Sequence, residues 1–475
     1  MIVYLIIALY LSITFGLGFY LNRSRHNEEG YFMANRSLST FQLFLTLIAT
    51  NFSAFFFLGF ASEAYTKGYA YYAMAAFGTS FAAVTFYLIG EKALHYSKSA
   101  QYVTPVEMIG DLTKHQPSKY AIMLVYLLFM FPYLAIQPIG AGLILENLTN
   151  GGIPYFFGVI LMVAFIIAHI LIGGMKGVVL LDVKNGILML VLMSIAAIVI
   201  CHQLGGLSQI NATLFEEKAG LFHSQGKNQH FNPKKWISYM LMFNLSIACL
   251  PQLFTRFMIS KSSKELQRST LLYSIIPIFL FLLPVIIGLA GHTSFPDLEG
   301  KEADGILSMM LVKHSPKWFA ALILTGALAA FISTMDSLLL ALGTIISRDL
   351  LQQLNVSKKI NEVRWAKISI VIIALISLYI AQSKPQTIFA LGRMTLSAMA
   401  ILFPVFLLVL RWNKLNPWYY FLSIILGELT LVLLWFEVIN IPLLQGYLPL
   451  VPALMIALAP LLFGALFIKK SKQEN

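Results

Sequence analysis

The chain has 475 residues, of which 58% are hydrophobic and only 11% charged, against roughly 25% charged in a soluble protein of this size. Its mean hydropathy of +0.78 excludes an ordinary water-soluble domain and points to a chain whose main solvent is the bilayer. The net charge of +12 would suit nucleic acid, but the placement of the basic residues assigns it to membrane topology instead.

Apolar stretches of about twenty residues, each long enough for one crossing, recur along the chain. Thirteen are expected, near 2–22, 40–60, 69–91, 120–146, 153–173, 178–201, 236–258, 271–291, 318–346, 366–382, 387–410, 416–437 and 447–468. The first has no basic residue ahead of it and no small-residue cleavage pattern, and Arg23 and Arg25 follow it. It is expected to be an uncleaved span, not a signal peptide. No cytosolic domain is expected after the last span. With the first end outside, the inner segments hold 22 Lys and Arg and the outer ones 9, while Lys184 and Arg393 lie within spans. The positive-inside rule then places the N-terminus outside and the C-terminus in the cytoplasm of a plasma or inner membrane. Cys201 and Cys249 lie in or beside apolar spans and read as small buried hydrophobes.

Two spans read as broken. Leu47–Gly59, LIATNFSAFFFLG, puts Ala49, Thr50, Asn51 and Ser53 near mid-membrane, and Met242–Gln252, MFNLSIACLPQ, does so with Asn244, Ser246 and Pro251. Proline removes a helix hydrogen bond, and small polar residues can satisfy the groups it frees. The two sites lie five spans apart. An odd number of spans inverts the second copy, which is the pattern of an inverted repeat with its site at the broken helices. From spacing alone, two unrelated polar patches remain an equal alternative.

The ninth span, Gly326–Asp349, carries a compact polar cluster in an apolar helix. Ala330, Ser333, Thr334 and Ser337 fall at i, i+3, i+4 and i+7 and so share one face, with Asp336 one position away. In lipid such a face is costly unless it meets a partner or a cavity. Hydroxyls and carbonyls suit a hard cation of low charge. The alternative is that Ser333 and Thr334 bond back to their own helix.

Several stretches together resemble the sodium:solute symporter family, whose members carry proline, pantothenate, sugars, sialic acid and monocarboxylates. They are Tyr31–Leu38 (YFMANRSL), the FLG…AY..G pattern within Ala54–Gly68, Thr104–Glu107 (TPVE) and Gly173–Gly186 (GGMKGVVLLDVKNG). Pro251–Ser260 (PQLFTRFMIS), Ala327–Asp349 and Phe403–Trp412 (FPVFLLVLRW) complete the set. The resemblance covers about residues 1–415. It implies an all-α membrane protein of the LeuT-like fold in a single transporter domain. The inverted repeats would lie at about 40–205 and 235–412, with extra helices at 2–22, 416–437 and 447–468.

It also implies a sodium site made by the carbonyls of Ala49, Phe52 and Ala330 and the hydroxyls of Ser333 and Thr334. In some members a second cation is held by an aspartate matching Asp182 with ninth-span hydroxyls. Here one of those hydroxyl positions is Asp336, beside Ser337, and Lys184 replaces the usual apolar residue. Asp336 could strengthen a second cation site, carry a proton or pair with Lys184. The solute cavity would be lined by Asn51, Ser53, Gln137, Phe243, Ser246 and Arg393. Arg393 could equally snorkel to the outer surface. The region matching the acidic third-span position of sugar carriers, Tyr72–Phe77, holds no acid.

The implied function is sodium-coupled symport of a small organic solute, carboxylate-bearing in preference to a neutral sugar, by alternating access. The alternatives are a proton-coupled carrier and a symporter of a neutral solute such as a sugar. Sodium is the coupling ion. No enzymatic activity, cofactor, nucleic-acid partner or obligate protein partner is expected.

Overall fold

A computed structural model describes residues 1–21, 32–351 and 362–466. Tyr31, at the head of the first motif, and several basic residues counted above (Arg23, Arg25, Lys358, Lys359, Lys469, Lys470 and Lys472) lie outside these. The described chain is helical, and its extended pairing is a single bridge between Leu38 and Ser260.

The helices that build the protein are α1 (Ile2–Leu21), then α2 (Thr40–Asn51), α3 (Phe55–Lys67), α4 (Ala70–Ala100) and α5 (Gln116–Leu148). There follow α6 (Tyr155–Gln203), α7 (Pro233–Cys249), α8 (Pro251–Met258), α9 (Ser263–Thr293), α10 (Lys317–Leu351), α11 (Glu362–Ser383), α12 (Ile388–Trp412), α13 (Pro417–Trp435) and α14 (Leu450–Leu466). Several starts follow local chemistry. Asn232 and Thr387 accept the amide hydrogens of Lys235 and Ala390, and a proline opens α7, as helix N-termini favour.

Eight helices are long and apolar enough to cross a membrane, and α2–α3 and α7–α8 form two further crossings bent by 59° and 53°. The other three expected spans fall on shorter apolar helices, Ile2–Leu17, Tyr155–Leu171 and Leu450–Leu466. Helix α6 has 49 residues and would be about 74 Å long if straight, more than twice the hydrocarbon core. It supplies two crossings. Phe165 stands 6.4 Å from Phe15 while Lys184 Nζ bonds the adjacent Thr14 Oγ1 at 2.9 Å, so both stretches pass α1 at one depth.

Both breaks lie where the sequence reads them. Phe52 leaves the helical region at φ −86°, ψ 93°. Leu250, held extended at φ −62°, ψ 126° before Pro251, does the same in the second break. Helix α10 forms the centre. Its most apolar stretch is 83% buried within the protein, against 33% for α11 and 39% for α13, which face lipid.

The second half of the broken span is set by a close approach. A Cβ on Gly288 of α9 would lie 2.1 Å from the carbonyl oxygen of Ala61 in α3. Gly288→Ala should therefore push α3 and α9 apart, costing about 1–3 kcal/mol. We expect a melting temperature lowered by several degrees in detergent, read by intrinsic fluorescence.

Candidate functional site

The site begins with hydrogen bonds that the break in α2 leaves unmade. A continuous helix would send the Ala54 and Phe55 amide hydrogens to the carbonyls of Thr50 and Asn51. Instead Ala54 N–H donates to Gln137 Oε1 at 3.0 Å and Phe55 N–H to Ser53 Oγ at 3.2 Å. Buried carbonyls left this way need new partners. The ninth-span hydroxyls supply them. Thr334 Oγ1 lies 3.4 Å from Ala49 O and 3.3 Å from Thr50 O, and Ser333 Oγ lies 3.2 Å from Ala49 O. Thus Ser333 and Thr334 reach across to α2 and do not bond back to α10. Ala330 lies one turn earlier on the same buried face. The extended conformation of Phe52 turns its carbonyl away from the helix. The result is a dry cluster of neutral oxygens from two helices, a donor set that fits one monovalent hard cation.

One layer away lies a charged cluster. The buried carboxylate of Asp182 accepts Ser333 Oγ at 2.5 Å, Thr46 Oγ1 at 2.5 Å, Thr50 Oγ1 at 3.3 Å and Arg256 Nη2 at 3.0 Å. Arg256, on α8, is 0% exposed. It also donates to Ser337 Oγ at 2.6 Å, to Thr46 Oγ1 at 2.9 Å and to Met175 Sδ at 2.8 Å. Asp336 does not join this group. Its carboxylate meets His169 Nδ1 at 2.7 Å. Lys184 bonds Thr14 and stands 5.2 Å over the Tyr10 ring.

On the other side of the break is a small cavity of about 20 Å³, room for little more than a water molecule. Seven aromatic rings line it, those of Phe52, Phe55, Phe56, Phe60, Tyr133, Phe243 and Phe281, together with Asn51, Thr79, Ile247 and Leu396. Its lining carries no charged side chain. Asn51 and Phe243, both expected solute contacts, are in the wall. Ser53 lies behind it, 3.4 Å from the Tyr133 hydroxyl. Gln137 is spent on the helix break, with Nε2 donating to Tyr133 O at 3.3 Å. Ser246 is fully buried and outside the lining. Arg393 is also outside it. It sits 5.1 Å over the Trp435 ring and bonds the Tyr239 hydroxyl. One turn earlier on α12, Phe389 stacks on Phe55 at 5.4 Å, and one turn later Leu396 reaches the cavity wall.

The profile of the sodium:solute symporter family matches residues 31–427. The chain belongs to the sodium:solute symporter family. Among its relatives, the sodium/pantothenate symporter of Escherichia coli (strain K12) is 27% identical over 96% of this chain and 95% of its own. The osmoregulated proline transporter OpuE of Bacillus subtilis (strain 168) is 24% identical over 88% of this chain and 85% of its own. The substrate-bound, outward-open structure of a Na+-coupled sialic acid symporter superposes with a TM-score of 0.80 at 20% identity, covering 98% of each chain. That likeness establishes the LeuT-like fold.

Two residues of this symporter's site, Arg256 and His169, escape a reading of the sequence. Arg256 counts there as an inner-loop charge, and leaving it out changes the asymmetry only from 22 to 21 against 9. Its signal is its place inside the PQLFTRFMIS motif, among apolar neighbours that offer no route to water. His169 has no comparable signal, because its partner lies on another helix. Gln137, by contrast, has a definable job. Gln137→Ala removes the acceptor that replaces a lost helix bond, at a cost of about 1–2 kcal/mol. We expect the half-saturating sodium concentration to rise roughly tenfold, measured as sodium-induced thermal stabilisation.

Proposed function

We propose that this sodium-coupled symporter of small organic solutes takes up a carboxylate-bearing solute by alternating access, such as an amino acid, a pantothenate-like acid or a monocarboxylate. The carbonyls of Ala49, Phe52 and Ala330 and the hydroxyls of Ser333 and Thr334 would hold the coupling sodium. One observation carries this reading: the Ser333 and Thr334 hydroxyls lie 3.2–3.4 Å from carbonyls that the break in α2 frees.

Sodium, when bound, supplies the positive charge that these neutral oxygens lack. The residues do the rest. Ser333 and Thr334 fasten α10 to the broken span, and the same span presents Asn51 and its phenylalanines to the solute cavity. Closing one site therefore orders the wall of the other. A coupling free energy of about 1–3 kcal/mol is typical of such linked sites.

Three features support the carboxylate. The cavity wall carries no acid to repel one. Asn51 Nδ2, which donates to the Tyr273 hydroxyl at 2.6 Å, offers an amide donor in the cavity wall. The approach beside Arg393 is basic on balance: burial, then Lys67, Lys235 and Arg393, push the His230 imidazole down to about 4, so His230 is neutral at pH 7, and the three cations outnumber the Glu63 carboxylate that interacts with Lys67 and Arg393. Pantothenate, proline and sialic acid, named for the relatives and the structural neighbour, are all carboxylates. Arg393 then acts on the approach and not in the cavity.

Thr334→Ala should raise the half-saturating sodium concentration at least tenfold in a solute-uptake assay while expression stays normal. Full sodium-dependent uptake by Ser333→Ala/Thr334→Ala overturns the site. Arg393→Gln should raise KM for a carboxylate solute several-fold, more at low ionic strength, and leave the sodium dependence unchanged. An equal KM at both salt concentrations removes Arg393 from the solute path. The orientation we propose, with the N-terminus outside, is checked in a variant lacking Cys201 and Cys249. An impermeant thiol reagent added to intact cells should label Ser224→Cys but not Ser99→Cys.

A further inference from the structure

We infer that Arg256 is a tethered cation occupying the place a second sodium would need, so that the symporter binds one sodium per chain and not two. The inference rests on the sodium-symport reading and adds its stoichiometry.

The argument starts from the Asp182 carboxylate, which is 0% exposed. A buried carboxylate needs a counter-charge and hydrogen bonds to its oxygens. Asp182 has both from the protein. Three hydroxyls donate to it, and the Arg256 guanidinium donates to Oδ2 at 3.0 Å. The same nitrogen of Arg256 donates to Ser337 Oγ at 2.6 Å. Asp182 and Ser337 are thus bridged by one positive group, and they are the carboxylate and hydroxyl that would ligate a second cation.

Most of the remaining oxygens are engaged as well. Thr46 Oγ1 accepts Arg256 Nε at 2.9 Å while donating to Asp182. Ser333, at the main site, turns its hydrogen toward Asp182 Oδ1 at 2.5 Å. Asp336 meets a different partner, His169 at 2.7 Å. The Asp182–Arg256 pair is neutral. A sodium placed among these groups would add a positive charge to a buried pair that is already neutral or would have to eject the guanidinium, which is itself 0% exposed. A planar fork with several donors suits this bridging role, where an ammonium would satisfy fewer partners.

Asp182 then acts as a positioning residue. Through Oδ1 it orients the Ser333 hydroxyl that lies 3.2 Å from Ala49 O, as outer groups orient the ligands of a metal site.

The test is equilibrium binding of radioactive sodium to the purified full-length protein in detergent, with choline replacing sodium in the blank. We expect one sodium per chain with a Hill coefficient of 1, lost in Thr334→Ala. Two sodium ions per chain in the unmodified protein overturn the inference. No sodium bound at all instead removes the symport reading beneath it. Arg256→Gln exposes the Asp182 charge and should admit a second sodium, bringing the count to two. A count that stays at one with unchanged affinity overturns the inference. Arg256→Lys retains the charge and guards against misfolding of the glutamine variant. It should keep a count of one with affinity weakened several-fold. A count of two in Arg256→Lys overturns the inference.

Discussion

The interruption of α2 after Asn51 is the constraint on which the rest of the site depends. Backbone carbonyls inside a membrane protein must be satisfied by the protein itself. Once Phe52 leaves the helical region, the amide hydrogens of Ala54 and Phe55 go to side chains, and carbonyls of the first half-helix are left facing α10. Ser333 and Thr334 meet them. One local defect therefore creates an oxygen-rich cluster on one side and, through Asn51 and the phenylalanines that follow, the wall of an aromatic-lined cavity on the other. The same few residues of broken backbone serve both.

Charge deep in the protein is handled by pairing in place. Asp182 and Asp336 lie close to Ser333 and Thr334, yet each has its own partner, Arg256 and His169. Taking an unpaired charge out of water costs several kcal/mol, so such carboxylates persist only where the fold brings up a counter-group. Here the counter-groups come from different spans, which ties α6, α8 and α10 together around the centre.

Aromatic packing separates the cavity from the outer approach. Phe389 stacks on Phe55 at 5.4 Å and stands edge-on to Tyr71 at 5.3 Å. Arg393 lies on the next turn of α12, against the Trp435 ring. Large rings can swing as units while holding water out, and here they divide a cavity without charged lining from a basic approach.

The sequence by itself determined the membrane class, both helix breaks and the ninth-span residues that meet the first break. These follow from hydrophobic length, from proline and small polar residues in apolar runs, and from helical periodicity, all of which are local. It also marked Asp182 as unusual, because a charge in an apolar span is conspicuous wherever its partner lies. Only the tertiary structure decided what each polar residue faces. Gln137 reads as a solute contact but completes a helix break, because Ala54 lies across an interface 83 positions away in the chain. Arg256 reads as a loop charge but is buried against Asp182, 74 positions away. Arg393 reads as either a solute contact or a snorkelling charge, and packing sets it against Trp435, outside the cavity lining. Partner identity across helices depends on rotation and depth in the bundle, and neither leaves a periodic trace in the sequence of a single span.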